Sequence, residues 1–104
     1  MTPVIAETRA KLDALCEQFR VRRLEVFGSS ATDDRFDPQR SDLDFIVEFQ
    51  PDQEMGPWLR HYFAFQRALA ELYRRPVDLV MASAMANVHF VQEAAKTRRL
   101  LYGV

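Results

Sequence analysis

The chain has 104 residues, of which 48% are hydrophobic and 28% are charged, and its formal net charge is −1. These values predict one globular domain over residues 1–104, and the near-neutral charge argues against direct, sequence-independent binding to nucleic acid or to an anionic membrane. The single cysteine excludes an internal disulfide framework, and the lack of a signal-peptide pattern or of an apolar run near ~20 residues predicts a soluble, cytoplasmic protein.

The first part of the chain predicts a helix and then a strand. Thr2 and Pro3 are typical of a helix start, and apolar residues then recur at three- and four-residue spacing to near Arg20. Cys16 is one of these apolar positions, so we expect it to be a buried small hydrophobe. Residues 21–27 predict the strand, with Leu24 and Val26 on one face.

A glycine-serine turn follows this strand. Gly28 lets the backbone approach a ligand closely, and amide groups at such a turn, together with Ser29, can hold a phosphate. A plain tight turn is the alternative, because a Gly-Ser pair after a strand is very common. Residues 32–40 are polar and predict a loop.

Two acids stand at the start of the next predicted strand, residues 43–49. Because side chains alternate along a strand, Asp42 and Asp44 share one face, and the opposite face is apolar: Leu43, Phe45, Val47 and Phe49. Two like charges about 4 Å apart repel by ~4 kcal/mol at an effective dielectric of about 20. A divalent cation between them makes the arrangement favourable, and Mg²⁺ prefers such oxygen ligands. The alternative is a solvated strand entrance that binds nothing.

The second half of the chain predicts a long helix followed by another strand. Pro57 begins the helix, Pro76 ends it, and its apolar stripe is expected to lie in the core: Trp58, Tyr62, Phe65, Leu69 and Leu72. Asp78 lies within the apolar strand of residues 77–81. An acid at such a position needs a partner or an ion, because burying it unpaired is costly.

The end of the chain predicts a third helix. Ser83 is a candidate cap for it, and the helix is expected to run to near Lys96. Residues 99–102 are either a last short strand or the helix end. His61 and His89 are isolated in sequence and lack metal-ligand spacing, so we interpret both as structural.

Taken together, these segments resemble the DNA polymerase β-like nucleotidyltransferase superfamily, and more narrowly the minimal nucleotidyltransferase (MNT, MntA-like antitoxin) family. The resemblance covers most of the chain and rests on Gly28-Ser29, on Ser41-Asp42-Leu43-Asp44-Phe45-Ile46-Val47-Glu48-Phe49 and on Val77-Asp78-Leu79-Val80. It implies an α/β fold with a small mixed β-sheet, helices mainly on one face and a polymerase β palm-like topology.

The resemblance also implies a role for each matching residue. Gly28, Ser29 and Ser41 would bind the nucleotide, and Asp42, Asp44 and Asp78 would be the catalytic and metal-binding acids that hold Mg²⁺. The implied reaction is Mg²⁺-dependent transfer of AMP from ATP to a hydroxyl. In the family the acceptor is a tyrosine of a partner HEPN-domain toxin, and the transferase is the antitoxin of a type VII toxin–antitoxin pair.

Larger relatives carry an added helical domain, for which residues 1–104 leave no room. We therefore expect the acceptor surface to come from a HEPN toxin or from another copy of the chain, in a hetero-oligomer or homo-oligomer.

Two departures from the family pattern keep alternatives open. Twelve residues separate Ser29 from Asp42, more than the family's small members usually have, and Thr32 stands where an arginine is often found. Arg35 is a displaced substitute for that arginine. One alternative is a non-catalytic antitoxin that neutralises its partner by binding, and another is a nucleotidyltransferase that acts on a small molecule.

Overall fold

The computed structural model describes residues 5, 7–28, 43–84, 92 and 95–103. The helices and strands whose bounds are described follow the order α1 (Arg9–Gln18), β1 (Val21–Phe27), β2 (Leu43–Phe49), α2 (Arg60–Tyr73), β3 (Val77–Met81) and β4 (Arg99–Tyr102). Short 3₁₀ turns, Pro57–Leu59 and Ala82–Ala84, precede α2 and follow β3. Neither of the two helices is long and apolar enough to cross a membrane.

The four strands form one mixed sheet in the order β3-β2-β1-β4. β1 is antiparallel to both β2 and β4, whereas β2 and β3 are parallel. Parallel neighbours cannot be joined by a tight hairpin, and here the connection from β2 to β3 contains α2. The predicted α/β fold with a small mixed sheet is therefore confirmed.

The core lies between the helices and one face of the sheet. The apolar side chains of β2 that were predicted to share a face are all buried, and Leu24 and Val26 of β1 are buried with them. The helices contribute buried residues to the same cluster: Leu12 and Cys16 from α1, and Phe65, Leu69 and Tyr73 from α2. Burial raises the pKa of the Cys16 thiol to about 12, so the thiol stays protonated, as expected of a small core hydrophobe.

The prediction that Trp58 lies in the core as part of the apolar stripe is wrong. Its side chain is 94% exposed, because the chain forms a 3₁₀ turn at Pro57–Leu59 and α2 begins only at Arg60. Trp58 and Leu59 have positive φ angles of 55°, so they interrupt the helical periodicity on which the stripe was based. The remaining stripe residues are buried or packed against the core, namely Tyr62, Phe65, Leu69 and Leu72.

The structure also decides the predictions for residues 99–102 and for His61. Residues 99–102 form β4, so the strand alternative is right for this segment. The ring of His61 contacts the backbone oxygen of Phe19 through Nε2 at 2.6 Å and packs edge-on against Phe49, which confirms a structural histidine. Ser83 lies inside the turn Ala82–Ala84. His89, most of the predicted third helix and the predicted helix start at Thr2 and Pro3 lie outside the described residues.

Candidate functional site

Two of the predicted site acids are neighbours on the face of the sheet that points away from α1 and α2. Asp44 of β2 and Asp78 of β3 are direct partners in the parallel register. Side chains that pair in register point to the same side of a sheet, and adjacent strands lie ~4.8 Å apart. Asp44 is half-buried and Asp78 is exposed, so the pair opens to solvent. The structure thus brings together two carboxylates that are far apart in sequence.

Gly28 lies directly against Asp44. Phe27, at the end of β1, is the register partner of Asp44, and the next residue is Gly28 with a φ of +68°. A Cβ atom at Gly28 would lie 2.9 Å from Oδ2 of Asp44, closer than side chains normally approach. The positive φ therefore favours glycine at this position, and any side chain there would have to displace the Asp44 carboxylate.

The Gly28→Ala variant tests this requirement. Alanine would have to adopt the left-handed region and would displace the Asp44 carboxylate, so we expect a loss of about 1–2 kcal/mol in unfolding free energy. Urea denaturation measures the loss. The control is the same substitution in an Asp44→Ala background, in which alanine at position 28 keeps its backbone strain but no longer meets the Asp44 carboxylate. Equal losses in the two backgrounds would show that the contact with Asp44 adds nothing.

The backbone amide of Gly28 is held by a residue from the far end of the chain. Its N–H donates to Oγ1 of Thr97 at 2.8 Å, across 69 residues of sequence. Thr97 stands just before β4, which is the neighbour of β1 in the sheet. Sequence reasoning missed Thr97, because a threonine after a polar segment carries no signal of such a contact.

The donor chemistry of this corner of the sheet fits a magnesium ion. Asp44 and Asp78 provide carboxylate oxygens on one face, which is the donor type that Mg²⁺ prefers. Within the described residues, no group of three or more histidine, cysteine or acidic side chains is placed to hold a metal. Ser29, Ser41 and Asp42 lie outside the described residues, so the roles of all the predicted site residues stay predictions.

Tyr62 of α2 lies close to this acidic corner. Its hydroxyl donates a hydrogen bond to the backbone oxygen of Leu79, the residue after Asp78. Burial raises the pKa of the Tyr62 hydroxyl, and the charge of Asp78 raises it further. Tyr62 therefore stays protonated, and remains a donor, beyond the ordinary range of a tyrosine.

A buried ion pair lies on the same face of the sheet, in the middle of β1. Glu25 is 5% exposed, and both of its carboxylate oxygens accept hydrogen bonds from Arg98 at 2.7 Å. Arg23 approaches the same carboxylate at 3.1 Å. The hydrogen bonds from Arg98 are the main reason that the pKa of Glu25 is lowered, and the charges of Arg98 and Arg23 lower it further. This pair keeps a charged glutamate in the sheet beside Ile46, its register partner on β2.

Known structures share this fold. A toxin–antitoxin complex with AMP-PNP matches with a TM-score of 0.68 and 19% identity, over 92% of this chain and 73% of the other. A tri-AMPylated HEPN toxin of Shewanella oneidensis in complex with an MNT antitoxin matches with a TM-score of 0.66 and 18% identity, over 96% of this chain and 73% of the other. A protein assigned as a minimal nucleotidyltransferase matches with a TM-score of 0.67 and 24% identity, over 91% of this chain and 93% of the other.

The family is shown by sequence. No curated protein matches the chain significantly. The family model described as a nucleotidyltransferase domain, however, matches residues 9–102, which include every described strand and both helices. The pair of acids beside Gly28 lies within this match. The chain therefore belongs to the nucleotidyltransferase domain family and is a nucleotidyltransferase.

Proposed function

We propose that this nucleotidyltransferase moves AMP from ATP to a hydroxyl of a partner HEPN toxin, in a Mg²⁺-dependent reaction, and so acts as an antitoxin. The observation that carries the proposal is the in-register pair of Asp44 and Asp78 beside the tight approach of Gly28. The fold likeness to an MNT antitoxin in complex with a tri-AMPylated HEPN toxin supports the choice of partner and of transferred group.

In this proposal the acids bind the metal, and the glycine and the serines bind the nucleotide. Asp42, Asp44 and Asp78 would hold magnesium, which when bound neutralises charge on the triphosphate. Gly28 has no side chain, so the triphosphate can approach the backbone closely there. Ser29 and Ser41 are polar and close in sequence to Gly28 and Asp42, and we assign them hydrogen bonds to phosphate oxygens.

The transfer step balances as a displacement at phosphorus. The acceptor hydroxyl oxygen forms a bond to the α-phosphorus of ATP, the bond from that phosphorus to the bridging oxygen breaks, and pyrophosphate leaves. The hydroxyl proton goes to a carboxylate, and we assign this role to Asp78 because its side chain is exposed on the open face. A tyrosine is the proposed acceptor residue on the toxin.

The position of the transferred label tests the reaction. We propose to incubate the chain with Mg²⁺, ATP and a candidate HEPN-domain partner protein, using ATP labelled at either the α- or the γ-phosphate. AMP transfer places α-label on the partner and leaves γ-label in pyrophosphate. Label on the partner from γ-labelled ATP alone would instead identify a kinase, and label from neither would remove the transferase role. Chelation of Mg²⁺ with EDTA is expected to abolish labelling.

A further inference from the structure

Asp78 lies on an edge strand of the sheet. β3 is the last strand of the sheet on its side, and only β2 pairs with it in the described residues. No side-chain hydrogen bond or ion pair of Asp78 is present within that part of the chain. Edge strands fray more easily than central ones, because half of their backbone groups lack a partner strand. The position of the Asp78 carboxylate must therefore depend on what holds the backbone of β3.

The backbone carbonyls of β3 alternate between its two edges. The carbonyl of Pro76 accepts a hydrogen bond from the amide of Leu43 at the start of β2, so it points toward β2. Because successive carbonyls of a strand point in opposite directions, those of Val77 and Leu79 point away from β2. These two outward carbonyls flank Asp78 on either side.

Both outward carbonyls are bound by side chains of α2. Nε2 of Gln66 donates to the backbone oxygen of Val77 at 2.9 Å, and the hydroxyl of Tyr62 donates to that of Leu79. Tyr62 and Gln66 are four residues apart, so they lie on the same side of α2 with a rise of ~6 Å between them. Two residues of a strand span ~6.6 Å, so the spacing of the two donors matches the spacing of the two acceptors.

We propose that Tyr62 and Gln66 are positioning residues for the reaction, which hold the backbone on both sides of Asp78 and so keep its carboxylate in line with that of Asp44. The inference deepens the proposed function, because it assigns the support of one member of its acid pair. α2 then has two roles: its apolar side fills the core, and these two polar side chains act as the missing neighbour strand of β3.

The test removes one hydrogen-bonding side-chain group at a time from the same helix. Tyr62→Phe deletes the donor to Leu79, and Gln66→Met deletes the donor to Val77 at similar side-chain length. Tyr73→Phe is the matched control, since its hydroxyl accepts a hydrogen bond from Thr8 at 3.0 Å instead of contacting β3. All three variants remove a single hydrogen bond, so a merely structural effect would lower their melting temperatures to a similar extent.

Metal binding is the readout that separates positioning from stability. Mn²⁺ replaces Mg²⁺ as the probe, and its affinity is measured by electron paramagnetic resonance with a non-hydrolysable ATP analogue present. We expect Tyr62→Phe and Gln66→Met to weaken Mn²⁺ binding by ~3–10-fold, and Tyr73→Phe to change it by less than about 2-fold. Amide hydrogen exchange should accelerate in β3 for the first two variants only.

Catalysis supplies the second readout and keeps this inference apart from the proposed function. With the partner toxin as acceptor, Tyr62→Phe and Gln66→Met should lower kcat and raise the Mg²⁺ concentration that the reaction requires, with little change in KM for ATP. Equal Mn²⁺ affinity in Tyr62→Phe and Tyr73→Phe, or no Mn²⁺ binding by the unmodified chain, would overturn the inference. Normal Mn²⁺ binding without any transfer by the unmodified chain would instead overturn the proposed function alone.

Discussion

Asp44→Asn is expected to abolish AMP transfer while leaving the fold intact. The substitution keeps the shape of the side chain but removes one negative charge from the proposed metal site, next to Asp78. We expect the transition state to lose about 4 kcal/mol of charge stabilisation, which corresponds to a rate reduction of ~1,000-fold. Thermal stability should be equal or higher, because the repulsion between two neighbouring carboxylates is relieved.

Label transfer from α-labelled ATP and a thermal melt of the same sample measure both effects. Asp52→Asn is the control, because Asp52 is an exposed acid that pairs with Arg20 at 2.7 Å, outside the proposed site. This variant should transfer label at the normal rate. An unchanged rate in Asp44→Asn would show that the carboxylate has no role in catalysis.

Glu25→Gln is expected to produce the largest loss of stability on the open face of the sheet. The amide keeps the size of the side chain but loses the charge that pairs with Arg98 and Arg23. Leaving these cations beside a nearly buried neutral group should cost about 2 kcal/mol of unfolding free energy at neutral pH. Glu48→Gln is the control: Glu48 is a half-exposed acid on the neighbouring strand, 3.6 Å from Arg22, and should cost less than about 0.5 kcal/mol.

The stabilisation by Glu25 also has a defined pH dependence. Its pKa in the folded chain is lower than in the unfolded chain, mainly because Arg98 hydrogen-bonds the charged form. The contribution is therefore fully present above the unfolded value of about 4.3 and is lost as the pH falls through the lower folded pKa. Urea denaturation from pH 7 to pH 3 should show the gap between the unmodified chain and Glu25→Gln closing at acid pH. A constant gap would contradict the assignment.

The sheet could be predicted from the sequence because its strands carry local signals. Residues 21–27 place Leu24 and Val26 on one face, residues 43–49 are rich in β-branched and aromatic side chains, and residues 77–81 are almost wholly apolar. Each segment forms a strand with those bounds. Asp44 and Asp78 were predicted together because the resemblance to the nucleotidyltransferase superfamily implies that both acids belong to one metal site. Their register could not be predicted from spacing alone, since it depends on how α2 returns the chain to the sheet.

The contacts that the sequence did not reveal are those between distant, ordinary polar residues. Glu25 and Arg98 are 73 residues apart, and neither stands out in a chain rich in charges. The donors on α2 were missed for a different reason: Tyr62 was interpreted only as part of an apolar stripe, although its hydroxyl reaches the edge of β3. Trp58 was misplaced because a helical period was extended through residues with positive φ, which the sequence does not mark.

The mass of the partner toxin tests the central claim most directly. The toxin is incubated with ATP, Mg²⁺ and either the unmodified chain or the double variant Asp42→Asn/Asp44→Asn, then separated and weighed by mass spectrometry. The unmodified chain should add one or more AMP units and leave the toxin inactive after separation, because a covalent phosphodiester outlasts the complex. The double variant should bind the toxin and leave its mass unaltered. Equal protection by both proteins without any mass change would contradict the transferase account and would favour neutralisation by binding alone.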